Sequence, residues 1–222
     1  MSTIEHPSFR VIDDFLDEEV WTAVWTHFQF VELLPVSRGA GAWKLDDGVP
    51  LGGQELVTAP GAALAGDGVD PIAHVAKAIL DQPEIYEGLV DPGWSRLSAR
   101  PYVYPRGTSL SWHSDDSERY AGAFIYYAHP RWNAHWGEEL LIATLPPSED
   151  EGDEDEELPI MAYRFETEEY SDALLDMGVG NFVMPRPNRL VLLAGAPHMV
   201  ARVSPAAGHN VRASVSGFFL RD

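Results

Sequence analysis

The chain has 222 residues, 45% of them hydrophobic, with 7 Trp, 8 Tyr and 9 Phe; that is enough apolar mass for a full core, which excludes a disordered chain and fits one domain over residues 1–222. Its net charge of −20, from 15 basic and 35 acidic residues, repels phosphate backbones and argues against nucleic acid and anionic membranes as partners. The lack of cysteine removes disulfides, thiolate metal sites and cysteine nucleophiles from consideration.

The first residues, MSTIEHPSFRVIDDF, lack the basic start and apolar run of a signal peptide, and no 18-residue apolar stretch follows, so the expected compartment is the cytoplasm. Residues 8–12 read as a short strand. A helix is predicted from Asp17, a plausible N-cap, to about Phe28, with Val20, Trp21, Val24, Trp25 and Phe28 on its buried face. Residues 35–68, rich in Gly, Ala and Pro, read as loops and short strands. A second helix is predicted from Asp70 to Leu80, with Ile72, Val75, Ala76, Ile79 and Leu80 on one side and Pro71 in the first turn, where a missing N–H is harmless. Residues 1–95 thus form a helix-rich support.

From residue 96 the apolar period changes to two. Segments 97–105, 109–113, 121–128, 139–145, 160–165, 181–184, 189–193, 199–204 and 211–220 read as strands separated by Gly/Pro turns. The expected fold class is mainly β with N-terminal helices (α+β), its 96–222 core a double-stranded β-helix, or jelly roll. Residues 148–157, SEDEGDEDEE, read as a solvated acidic loop, with docking of a basic partner as the alternative.

The informative segment is Trp112-His113-Ser114-Asp115. Two residues apart at a strand end, His113 and Asp115 point the same way. A mixed nitrogen–oxygen pair suits a borderline metal such as Fe(II), and a third ligand would complete a facial triad with open positions. Alone, His-x-Asp is also what a surface turn with a capping Asp looks like. His198, after the apolar run Leu190–Leu193 and the small-residue turn Ala194-Gly195-Ala196-Pro197, is placed to be that third ligand. Arg212, among small residues on a later strand, needs an anionic partner. A dicarboxylate co-substrate would supply one, and so would an internal salt bridge.

From Tyr102 to Phe219 the chain resembles the prolyl 4-hydroxylase-like branch of the Fe(II)/2-oxoglutarate dioxygenases. The resemblance rests on Tyr104-Pro105-Arg106-Gly107 before His113-Ser114-Asp115, on Arg119 and the strand Phe124–His129, and on Trp132 and Trp136-Gly137-Glu138-Glu139-Leu140. It continues through Arg189–Leu193, His198, Gly208 and Arg212. It implies that His113, Asp115 and His198 bind Fe(II), that Arg212 and Tyr127 hold the distal carboxylate of 2-oxoglutarate, and that Tyr104 lies at the mouth. It also implies O2 as a second co-substrate, ascorbate as an additional cofactor, and hydroxylation of an unactivated C–H. Two departures stand out: Glu138 replaces a glycine of the family pattern, and the long gap from His198 to Arg212 leaves Arg202 as a rival anchor. The iron-binding acid is retained as Asp115, which favours hydroxylation over halogenation.

Arg119, His129, Trp132 and Trp136 are candidate substrate contacts. Arg119 pairing with Asp116 or Glu118, and His129 and His135 as plain loop residues, are the alternatives. The expected partner is a free small molecule such as an amino acid or biosynthetic intermediate. A prolyl or peptidyl substrate is the second reading, and a non-catalytic or isomerising cupin-like domain the third.

Overall fold

The structure is a computed structural model describing residues 2–36, 47–62, 70–115, 118–143, 172, 174, 175 and 178–222. The acidic segment 148–157, the strand predicted at 160–165 and Asp116 lie outside the described residues. Strands β1 (Ser2–His6) and β2 (Phe9–Asp13) form an antiparallel hairpin. Helix α1 (Glu18–His27) follows, then the short strands β3 (Leu34–Pro35), β4 (Leu51–Gly52) and β5 (Leu56–Thr58) and helix α2 (Pro71–Leu80). The rest is strand: β6 (Arg96–Tyr104), β7 (Leu110–His113), β8 (Tyr120–Tyr127), β9 (Leu140–Ala143), β10 (Gly180–Val183), β11 (Arg189–Leu193), β12 (His198–Val200) and β13 (Arg212–Leu220).

Among the described residues these strands make two sheets. The larger runs β1-β2-β11-β8-β13-β6-β4-β3, with β5 also on β6; the smaller runs β10-β9-β12-β7. The central strands β8 and β11 of the larger sheet are buried on both faces, and strict alternation sorts the side chains. On β13, Ala213, Val215 and Phe219 join the cluster that contains Val24 of α1 and Val75, Ala76 and Ile79 of α2. Leu97, Ala99 and Val103 of β6 and Leu190 and Leu192 of β11 face the same way. Ile125 and Tyr127 of β8 and Val191 and Leu193 of β11 face the other way, onto Leu140, Ile142, Val183 and Val200 of the smaller sheet. A side chain such as Leu97 or Leu190, with no exposed surface, contributes roughly 1.5–3 kcal/mol of burial.

Both predicted helices form, but their caps differ. Asp70 accepts a hydrogen bond from the Ile72 N–H at 2.9 Å, whereas the Asp17 side chain makes no cap bond. Trp21 and Trp25 are half-buried at the rim of the core rather than inside it, and the Trp21 indole N–H donates to the Ala128 carbonyl. The strand predicted at 199–204 is shorter, ending at Val200. Beyond it the chain pairs with the loop before β7: the Gly107 N–H donates to the Val203 carbonyl and the Val203 N–H to the Thr108 carbonyl.

Candidate active site

His113 is the last residue of β7 and His198 the first of β12, and the two are direct cross-strand partners in the antiparallel ladder. Distant in sequence, they are therefore opposite each other by register alone, with ring centroids 4.2 Å apart. Asp115, two residues beyond His113, brings a carboxylate oxygen to 3.9 Å from His113 Nε2 and the other to 3.5 Å from His198 Nε2. One ligand atom from each of the three residues lies within 4.8 Å of the others.

Backbone carbonyls orient both rings. The Ser111 carbonyl lies 2.8 Å from His113 Nδ1 and the Ala196 carbonyl 2.8 Å from His198 Nδ1. A carbonyl only accepts, so each Nδ1 donates, and a neutral ring then presents its Nε2 lone pair toward Asp115. Burial, reinforced by the neighbouring His198, lowers the pKa of His113 to about 4, so this imidazole is in its metal-binding form at neutral pH. Two imidazoles and one carboxylate at this spacing fit a divalent transition metal such as Fe(II) and leave coordination positions toward the cavity.

That cavity has a volume of about 220 Å³ and is lined by His113, Asp115 and His198 together with Tyr102, Tyr104 and Arg212. The strand period explains the set. Ser98, Arg100, Tyr102 and Tyr104 are the even positions of β6, and Arg212, Ser216 and Phe218 are even positions of β13. Arg212 is 2% exposed. Its guanidinium carbon lies 4.7 Å from the Tyr104 ring centroid and 5.2 Å from that of Tyr127. Two positions along β13, the buried Ser214 hydroxyl has no hydrogen-bond partner among the described residues. A buried cation beside an unpartnered hydroxyl is a cradle for an anion, so a carboxylate fits here.

The cradle already has one acid beside it. Glu138, with no exposed surface, places Oε2 3.2 Å from Arg212 Nε. The internal salt bridge that the sequence left open therefore exists, on the Nε edge of the guanidinium. Neither Glu138 oxygen has a hydrogen-bond partner among the described residues. Burial, against the pull of Arg212, raises its pKa to about 8.

The rival anchor, Arg202, is exposed and donates to the Gly107 carbonyl at 2.7 Å. Tyr126 and Tyr127, adjacent on β8, point to opposite faces: the Tyr126 hydroxyl donates to Asn188 Oδ1 in the helical layer. Arg119, His129, Trp132 and Trp136 do not line the cavity among the described residues. Arg119 is exposed. His129 is 1% exposed and held between the carbonyls of Pro185 and Ala213. Trp132 donates its indole N–H to the Gly137 carbonyl and packs edge-on against Trp136. The aromatic wall comes instead from Tyr102, Tyr104, Phe124 and the stacked pair Tyr120–Phe218, with Arg100 and Glu55 beside it. Asp47 was also overlooked. It is 1% exposed and accepts the hydroxyls of Ser109 and Ser111 at 2.9 and 2.8 Å, which fixes the start of β7; it lies in a stretch that read as plain loop.

No protein-family model matches the chain, and no curated protein matches it. Its fold, however, is that of the prolyl hydroxylases and 2-oxoglutarate–Fe(II) oxygenases, whose solved structures it resembles over almost its whole length. A prolyl-4-hydroxylase from Pseudomonas putida superposes with a TM-score of 0.57 at 17% identity, covering 97% of this chain and 93% of that one. A Trichoplax adhaerens prolyl hydroxylase in complex with a hypoxia-inducible-factor peptide gives 0.58 at 15% identity, covering 96% and 84%. HygX from Streptomyces hygroscopicus, with nickel, 2-oxoglutarate and hygromycin B bound, gives 0.53 at 14% identity, covering 95% and 81%. What is shared at these identities is the fold. Among the described residues no helix is long and apolar enough to cross a membrane.

Proposed function

We propose that this chain is an Fe(II)- and 2-oxoglutarate-dependent dioxygenase that hydroxylates an unactivated C–H of a small molecule, its two sheets being a double-stranded β-helix. The observation that carries the reading is the convergence of His113, Asp115 and His198 on one point of a cavity that also contains the buried cation Arg212. In this reading the three residues hold Fe(II) from one side. Arg212 and the Ser214 and Tyr127 hydroxyls receive the distal carboxylate of 2-oxoglutarate, and Tyr104, stacked on Arg212, closes its flank. Bound Fe(II), 2-oxoglutarate and O2 supply the oxidation that turns C–H into C–OH; the protein supplies orientation and a water-poor site. Tyr102, Tyr120 and Phe218 provide apolar walls for a substrate, and Arg100 and Glu55 place opposite charges on the same cavity, which suits a zwitterionic or amphoteric molecule.

Anaerobic titration with Fe(II) and then 2-oxoglutarate tests the reading. A visible charge-transfer band should form in the wild type and be missing in His113→Ala; no band in folded wild-type protein refutes it. A prolyl or peptidyl substrate is the second reading, supported by the likeness to a prolyl hydroxylase structure that contains a peptide. A succinate-release screen over amino acids and prolyl peptides separates the two.

A further inference from the structure

Glu138 is an acid where the turn before β9 has most use for glycine. Its φ of 68° lies in the left-handed region that a side chain makes unfavourable. The neighbouring backbone clamps it. The Ala201 N–H donates to the Glu139 carbonyl and the Ser204 N–H to the Trp136 carbonyl. A Cβ at Gly137 would fall 2.2 Å from the Arg202 carbonyl oxygen, so the turn cannot back away. The carboxyl group is thus fixed in a fully buried position against the Nε edge of Arg212, 3.2 Å away, with no donor that satisfies either oxygen among the described residues. A buried acid that gains no hydrogen bond and sits on a strained backbone contributes little to the fold. Its effect falls on Arg212, which also lines the cavity.

We propose that Glu138 is a specificity-determining residue for the co-substrate: its carboxylate competes with the distal carboxylate of a 2-oxo acid for Arg212, weakening the selection of a dicarboxylic over a monocarboxylic acid. This rests on the function proposed above. Competition belongs to the ionised form. Burial pushes Glu138 up to about 8, opposed by Arg212 and reinforced by the adjacent Glu139, so the competitor strengthens as pH rises from 7 to 9. Two titratable neighbours of Arg212, Tyr127 and His129, do not change in that interval. Tyr127 is raised above its ordinary value by burial, and His129 is lowered to about 4, also by burial. Tyr104 contacts Arg212 through its ring face.

The test uses Ni(II)-loaded full-length protein and isothermal titration with 2-oxoglutarate and with 2-oxopentanoate, which has the same chain length and no second carboxylate. The ratio of the two affinities cancels any effect of pH on the metal site. In the wild type this ratio should fall by up to about tenfold between pH 7 and pH 9, the limit that linkage sets for one competing group that titrates near 8. In Glu138→Gln it should stay constant within about threefold. Glu138→Gly, which also relieves the backbone, should behave like the glutamine variant and, at pH 9, gain more thermal stability from added 2-oxoglutarate than the wild type does. A constant ratio in the wild type, or parallel falls in wild type and both variants, overturns the proposal. If neither acid binds to any of the three proteins, the reading of the site fails and the proposal with it.

Discussion

Replacing Arg212 by methionine separates co-substrate recognition from folding. The guanidinium is 2% exposed, and a carboxylate paired to it in a water-poor cavity makes charge-assisted hydrogen bonds whose loss costs about 2–4 kcal/mol, or roughly 30- to 1000-fold in Kd. Stability should move much less. Methionine keeps the length and apolar bulk of the stem, and the remaining partner, Glu138, is held protonated by burial to about pH 8. At pH 7 the change therefore leaves no uncompensated buried charge, and exchanging a buried guanidinium for apolar contact is often near neutral. Calorimetric titration of 2-oxoglutarate into Ni(II)-loaded protein reads the first effect and thermal unfolding the second. The exposed Arg202, with its guanidinium on the Gly107 carbonyl, is the control: Arg202→Met should leave Kd unchanged. A Kd for Arg212→Met within threefold of the wild type would refute the assignment of the anchor.

Asp115→Ala should weaken binding of Ni(II) or Fe(II) by at least about 100-fold, since two imidazoles remain of three ligands; metal-dependent thermal stabilisation that survives the change argues against the triad. Asn188 accepts from the Leu16 N–H and the Tyr126 hydroxyl and donates to the Leu16 carbonyl. Asn188→Ala should cost about 3 kcal/mol, roughly 1 kcal/mol for each buried bond, in urea unfolding, and Asn188→Gly should restore part of it because φ is 57°. Asp13 is held below the ordinary carboxylate pKa chiefly by its hydrogen bond from Arg189, with Arg186 adding to the effect. Its stabilisation is present above about pH 4 and is lost as pH falls through the lowered value, so the gap in stability between wild type and Asp13→Asn should narrow on acidification. A gap that stays constant from pH 7 to pH 3 rejects that origin.

The clustering of His113, Asp115 and His198 was legible because it needs only local rules. Strand alternation pairs His113 with Asp115, and a small-residue turn after an apolar strand delivers His198. Arg212 was legible by the same period. What the sequence hid depends on register and on turns. The β7–β12 alignment that sets His113 opposite His198 is a property of the ladder, not of either strand. Glu138 reaches Arg212 only because its turn takes a positive φ, a choice that no propensity announces for glutamate. Strands β3, β4 and β5, two or three residues each, are too short to show a period. Trp132, His129 and Trp136 lie away from the cavity lining for a different reason: a local richness in aromatic residues says nothing of polar partners, and Trp132 and His129 spend their polar atoms on backbone carbonyls.

Arg212 belongs to the larger sheet and His113 and His198 to the smaller one. Any molecule gripped at both ends is therefore measured by the gap between layers, and that gap is set by apolar side chains such as Ile125, Val191, Leu140 and Val200. The hydrophobic filling works as a ruler. Thinning or thickening it by one methylene should retune the length of acid the cavity accepts, with every polar group of the site left in place.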